Sequence, residues 1–165
     1  KENKIKILGA SKTRSIDEIY SLYNQGIKIF GENYVQELKE KYNDNQPFEF
    51  HYIGKIQTKK IKDIIPRVTL IHSVSRIKEL ELINHEASKI NKNINILIEL
   101  HLTNEDTKNG VSLDNLDELI KYSLKEGNPL YPVPVLMGKE EFREIVKVIK
   151  EVYSDASTEV FVYGA

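Results

Sequence analysis

The chain contains no cysteine. That excludes disulfides, thiolate metal sites and a cysteine nucleophile, and it suits a reducing compartment, so a cytoplasmic setting is expected. No apolar run approaches the ~20 residues that span a bilayer as a helix. No charged-then-apolar segment opens the chain, so secretion is not expected. Neither sign of charge dominates: 24 basic and 25 acidic residues leave a formal net charge of -1. No global field therefore draws the protein to nucleic acid or an anionic membrane, and neither partner is expected. Methionine occurs once, at Met137, and the chain starts at Lys1. It is expected to begin inside a longer gene product or after a removed stretch. What is present is a globular balance, 40% hydrophobic and 30% charged over 165 residues, enough for one domain.

Short apolar runs alternate with helical periods. Strands are predicted at 5–10, 27–30, 50–53, 68–71, 94–100, 133–137 and 160–163, and helices at 15–25, 33–42, 57–65, 76–90, 113–125 and 140–152. Ser15 followed by Glu18 forms a capping box at the first helix, and Gly26 ends it. Ile16, Ile19, Tyr20 and Tyr23 share one of its faces. Ser75 and Ser112 are candidate caps of later helices, and Pro66 a stop. In the helix over 76–90, Ile77, Leu80, Ile83, Ala87 and Ile90 point inward; in the one over 113–125, Leu113, Leu116, Ile120 and Leu124 do so. Strict alternation implies an α/β fold of parallel strands joined by crossovers. An open doubly wound sheet and a closed (β/α)8 barrel both satisfy it. No Gly-x-Gly-x-x-Gly follows a strand, which weakens the dinucleotide-binding version. Seven strands are one short of a barrel, and the length is below the roughly 200 residues of the smallest barrels.

In either architecture ligands sit at the carboxyl ends of the strands. Ser11, Lys12 and Thr13 stand after the first strand, and Gly31, Glu32, Asn33 and Tyr34 after the second. His51 and Gly54 belong to the third, His72 and Ser73 follow the fourth, Glu99 and His101 end the fifth, and Met137 and Gly138 the sixth. Lys12 is the sharpest candidate. A lysine between a buried strand and a capped helix can be partly desolvated, which makes its amine a nucleophile for carbonyls, above all pyridoxal phosphate. The opposing reading is an ordinary solvated lysine. The four histidines, His51, His72, His85 and His101, have no metal-ligand spacing. His51 is read as pocket-lining and His85 as a surface or boundary residue. Lys55, Lys59, Lys60 and Lys62 read as a solvated helix face. No Gly-x-Ser-x-Gly nucleophile elbow occurs.

Five blocks occur in order: Ala10-Ser11-Lys12-Thr13, Phe30-Gly31-Glu32-Asn33-Tyr34-Val35-Gln36-Glu37, His51-Tyr52-Ile53-Gly54-Lys55-Ile56-Gln57, Ile71-His72-Ser73-Val74 and Thr103-Asn104-Glu105-Asp106-Thr107-Lys108-Asn109-Gly110. Together they resemble the pyridoxal phosphate homeostasis protein family, of the YggS or PROSC type, from about Lys4 to Met137. The resemblance implies one domain over 1–165, a (β/α)8 TIM barrel of pyridoxal phosphate fold type III like the N-terminal domain of alanine racemase. It implies that Lys12 holds pyridoxal 5′-phosphate as a reversible Schiff base, and that Asn33, His51, Ser73 and Met137 line the cofactor pocket. It further implies a monomer that buffers the cofactor and delivers it to pyridoxal-phosphate-dependent acceptor enzymes, without robust turnover. The alternative is an amino-acid racemase using the same lysine, which needs a second base; Tyr34 or Tyr163 could be proposed, though nothing in the sequence singles them out. The chain departs from the family pattern at His101 and Lys59, where asparagine is expected, and in its last segment. Stretches are expected to be missing near Met137/Gly138, Tyr153/Ser154 and Val160/Phe161, with an initial helix absent before Lys1.

Overall fold

The computed structural model describes residues 6–100, 110–112, 115–116, 118–119, 121–122 and 130–134. Six strands lie among them: β1 (Leu8–Ala10), β2 (Ile29–Glu32), β3 (Glu49–Tyr52), β4 (Leu70–Val74), β5 (Asn95–Leu100) and β6 (Leu130–Pro134). The helices are α1 (Ile16–Asn24), α2 (Val35–Lys41), α3 (Ile61–Ile64, between two 3₁₀ turns) and α4 (Ile77–Lys89). Residues 115–116, 118–119 and 121–122 are also helical.

All strand pairs are parallel, and the spatial order is the chain order, β1 to β6. That order decides between the two architectures. A doubly wound sheet reverses its strand order so that helices cover both faces. An unreversed order with crossovers of one hand puts every helix on one face, and the other face becomes a barrel lining. The side chains follow this division. Phe30, Phe50, Ile71, Ile96 and Ile98 pack with Ile19, Leu38, Ile64, Leu80 and Ile83 in the core between sheet and helices. Ala10, Gly31, His51, Leu70 and Asn95 stand in one register row on the opposite face. Leu97, fully buried, shares that face because strand side chains alternate. Among the described residues no helix is long and apolar enough to cross a membrane.

Local signals are realised at α1. Ser15 Oγ accepts from the Glu18 N–H at 3.2 Å, and Glu18 Oε2 accepts from the Ser15 N–H at 2.7 Å. Gly26 follows with φ +105°, the left-handed geometry of a helix stop. Several expectations need correction. The first strand starts at Leu8, and Ile7 is exposed. The third helix starts at Ile61, later than expected, and its α-helical part does end before Pro66, which sits in a following 3₁₀ turn where its missing N–H costs nothing. Ser75 does not cap α4. The N-cap is Arg76, and Glu79 accepts from the N–H groups of Ser75 (2.9 Å) and Arg76 (3.1 Å). Ile90 is exposed because α4 ends at Lys89 and Asn91, at φ +49°, turns the chain away. β6 lies three residues earlier than expected at each end. Leu116 and Leu119 are buried, the latter outside the expected stripe. The strand at 160–163, the helix at 140–152 and the three junctions where segments were expected to be missing lie outside the described residues.

Candidate functional site

The carboxyl end of β1 is a tight turn. The Arg14 N–H donates to Ser11 O at 3.0 Å, which leaves Lys12 at the tip. Thr13, the other central residue, has φ +63°. A β-branched residue there is strained by about 1–3 kcal/mol, so its surroundings must impose the conformation. Glu37 Oε2 accepts the Thr13 N–H at 2.7 Å and the Lys41 ammonium at 2.7 Å. Lys41 Nζ donates also to Glu32 Oε1 and to Ser11 O, both at 2.8 Å. Ser11 Oγ donates to Glu32 Oε1 at 2.7 Å. Burial alone would lower the Lys41 pKa, but hydrogen bonds and attraction from Glu32 and Glu37 outweigh it and raise it. The bond from Lys41, aided by the Thr13 N–H, lowers the Glu37 pKa against the effect of burial.

A second seam joins β2, β3 and β4. Ser73 Oγ donates to Gly54 O at 2.5 Å. A Cβ at Gly54 would stand 2.1 Å from Asn33 O, so glycine alone lets the two backbones touch. Asn33 Oδ1 is buried without a hydrogen-bond partner. An unpartnered buried acceptor is rare in a native protein and calls for a donor. The register of β4 against β5 slips between Ile71 and Val74, a bulge that includes His72 and Ser73. Bulges re-aim side chains, and this one serves the two residues that reach β3 and its loop.

His51 Nδ1 and His72 Nε2 are 2.9 Å apart on the lining face, and both residues are buried. Burial depresses the His51 pKa to about 4, with partial relief from Glu49. Burial, and then repulsion from His51, depresses that of His72 to about 3. The pair is neutral at pH 7. The Glu49 carboxylate, 3.9 Å from His51 Nε2, favours the tautomer protonated there. His51 Nδ1 then accepts from His72 Nε2–H. The consequence for stability has a definite sign. Both folded-state pKa values lie below the ordinary 6.5, so the unfolded chain binds protons first. Stability should be level above about pH 7 and fall between about 6.5 and 4, with about 3 kcal/mol lost through His51 alone. Urea midpoints that stay constant from about pH 7 to pH 5, above the carboxylate range, would contradict this.

The expected residues are thus placed unequally. Asn33 and Ser73 are joined through Gly54. His51 is buried against His72, which belongs to β4 along with Ser73 rather than following it. Lys12 is an exposed residue on the turn closed by the Ser11–Arg14 bond, which departs from the expectation of a partly desolvated side chain. Tyr34 is exposed as well, and so is His85. Met137, His101 and Tyr163 lie outside the described residues. Glu99, at the end of β5, has a raised pKa from burial and from repulsion by Glu79. The sequence reading passed over Glu37 and Lys41. Their i,i+4 spacing was the available signal, but it is common on solvated helix faces. Among the described residues no group of three His, Cys, Asp or Glu could hold a metal ion.

No protein-family model matches the chain. Comparison with solved structures finds PipY of Synechococcus elongatus, in the form without pyridoxal phosphate, at a TM-score of 0.77 and 22% identity, covering 94% of this chain and 80% of that one. The pyridoxal-phosphate-bound form of PipY matches at a TM-score of 0.74. Alanine racemase of Clostridium difficile matches at 0.74 and 14% identity, over 98% of this chain and 49% of the racemase. These likenesses establish the fold as the (β/α)8 barrel of pyridoxal phosphate fold type III, to which the described residues contribute six strands. Among curated proteins, the pyridoxal phosphate homeostasis protein of Pasteurella multocida is 34% identical over 124 residues, 73% of this chain but only 53% of that protein. The one of Aquifex aeolicus is 37% identical over 165 residues, 96% of this chain and 72% of the relative. With identity at that level sustained along nearly the whole chain and most of that relative, and a sheet wound as in PipY, the chain belongs to the pyridoxal phosphate homeostasis protein family.

Proposed function

We propose that this chain binds pyridoxal 5′-phosphate, with Lys12 as the point of attachment, and takes part in intracellular homeostasis of the cofactor. The observation that carries the reading is the set of groups at successive strand ends. An exposed primary amine sits on a turn held by hydrogen bonds after β1, and an unpartnered buried acceptor, Asn33 Oδ1, follows β2. The relatives named for this homeostasis, and PipY with pyridoxal phosphate bound, support it. The residues present fit the group. Bound pyridoxal phosphate supplies an aldehyde carbon that condenses reversibly with a primary amine. Lys12 offers such an amine in the open, where a free aldehyde can reach it. Asn33 Oδ1 would accept from a donor on the bound cofactor. Ser73 uses its proton on Gly54 and keeps oxygen lone pairs to accept with. The neutral His51–His72 pair lines the barrel interior without adding charge. Met137 is carried as a pocket residue on the resemblance alone.

An exposed attachment residue leaves the cofactor a path in and out of the site. The role proposed is therefore holding the cofactor and passing it to pyridoxal-phosphate-dependent acceptor enzymes, as a cytoplasmic monomer. Incubation with pyridoxal phosphate, borohydride reduction and peptide mapping should place the adduct on Lys12. Equal labelling of Lys12→Ala would overturn the assignment. Rapid exchange of the alanine α-proton by the loaded protein would favour a racemase instead.

A further inference from the structure

We infer that Glu32, Glu37 and Lys41 are positioning residues for Lys12, clamping the backbone on both sides of it and so fixing where its amine is presented. The inference rests on the reading of Lys12 as the attachment point. An ammonium has three N–H donors, and Lys41 spends one each on Ser11 O, Glu32 Oε1 and Glu37 Oε2. Its side chain is only 10% exposed, so these bonds have little competition from water. Ser11, just before Lys12, is held twice, through its carbonyl by Lys41 and through its hydroxyl by Glu32. Thr13, just after Lys12, is held through its N–H by Glu37. A salt bridge serving only to join α2 to β2 would need none of these contacts to the turn. Here three of the cluster's bonds end on the two neighbours of Lys12.

Two further observations argue that the cluster is more than a strut. Thr13 is kept in the left-handed region, which a β-branched residue leaves unless held there. Glu32 is fully buried, and its second oxygen, Oε2, has no partner. A half-satisfied buried carboxylate is an unfavourable way to gain stability alone. As a rigid bracket for a strained turn it has a purpose. Glu37 and Lys41 lie on one side of α2, whose Val35 and Leu38 are buried in the core. The bracket is thus mounted on a packed element rather than on a loop, as precise placement of a reacting group requires.

The test uses Glu37→Gln, whose side chain lies at the edge of the cluster, and the paired change Glu32→Gln with Lys41→Met, which removes the opposite charges together. In the cofactor-free chain, Glu37→Gln should speed hydrogen–deuterium exchange over residues 11–14 and leave β3 and β4 unchanged. It should weaken pyridoxal 5′-phosphate binding by about tenfold, while pyridoxine 5′-phosphate, which has no aldehyde, binds within about twofold of the parent. In a Lys12→Ala background neither change should matter for binding. Exchange that rises throughout the fold, or equal loss of both ligands, would show a merely structural cluster and overturn the inference. A parent that binds pyridoxal phosphate while Glu37→Gln and the paired variant bind it equally well overturns the clamp alone. A parent that takes up neither ligand overturns the cofactor reading and the inference with it.

Discussion

Gly54→Ala is expected to unfold the protein at a markedly lower urea concentration than the parent, and to cost more than alanine at the other close glycines. The added Cβ would lie 2.1 Å from Asn33 O and 2.8 Å from Asn33 C and Cα. All three are backbone atoms, so relief requires the β2–α2 connection to move away from the β3 loop. At Gly31 the nearest atoms are side-chain carbons, Leu8 Cδ2 at 2.7 Å and Ile53 Cδ1 at 2.8 Å, which rotate aside. At Gly9 the nearest is a Phe30 ring carbon at 3.2 Å. Overpacking costs about 1–3 kcal/mol, and a backbone clash belongs at or above the upper end. The loss extends to the site. Gly54 O accepts from Ser73, and Asn33 carries the unpartnered acceptor, so pyridoxal phosphate binding should fall with stability. A Gly54→Ala protein with the parent's urea midpoint and a Gly31→Ala protein of lower stability would reverse the argument.

Lys41→Met should be the most damaging single removal of a charge. Methionine fills much the same volume, so the packing of the stem is largely kept, and the penalty is electrostatic. Glu32 is fully buried, and Lys41 is its partner at 2.8 Å. Breaking a buried pair by taking one member strands the other, which costs about 3–5 kcal/mol. Glu37 suffers less because its side chain is 24% exposed and water can replace Lys41. Replacing both members, as in Glu32→Gln with Lys41→Met, should recover much of the loss, and the shortfall from additivity measures the pair. Denaturation of the four proteins at one pH gives the cycle. Additive losses would mean that Glu32 and Lys41 do not stabilise each other. By contrast Arg14→Ala removes a pair whose members are 55% and 50% exposed, and should leave the urea midpoint nearly unchanged.

Much of the fold was legible because its signals are local. The capping box at Ser15 and Glu18 and the stop at Gly26 are set by contacts within a turn of the chain, and Val35, Leu38, Leu80 and Ile83 are marked by the helical period although the core that buries them is tertiary. Failures came where local rules compete. A serine before α4 looked like its cap, yet Glu79 from inside the helix took the exposed N–H groups. Ile90 continued an apolar period past the point where the backbone had already turned. The site divides in the same way. Lys12, Asn33, His51 and Ser73 were expected from the family blocks around them, and their part in a cofactor site is proposed from the strand ends the fold brings together.

Their surroundings could not be named. Chain order of apolar runs implied parallel strands, but both a reversed and an unreversed sheet satisfy that pattern. Periodicity records which residues are buried and not which strand lies beside which, so it left the choice open; the family resemblance pointed to the barrel, and hydrogen bonding between distant strands selects it. The clamp on the Lys12 turn joins Ser11 to Glu32 across 21 residues, Thr13 to Glu37 across 24 and Ser11 to Lys41 across 30. The His51–His72 contact spans 21. No pattern in a single chain ties such positions together. Their partnership arises when parallel strands bring one strand end beside the next, and when burial removes the water that would otherwise satisfy them.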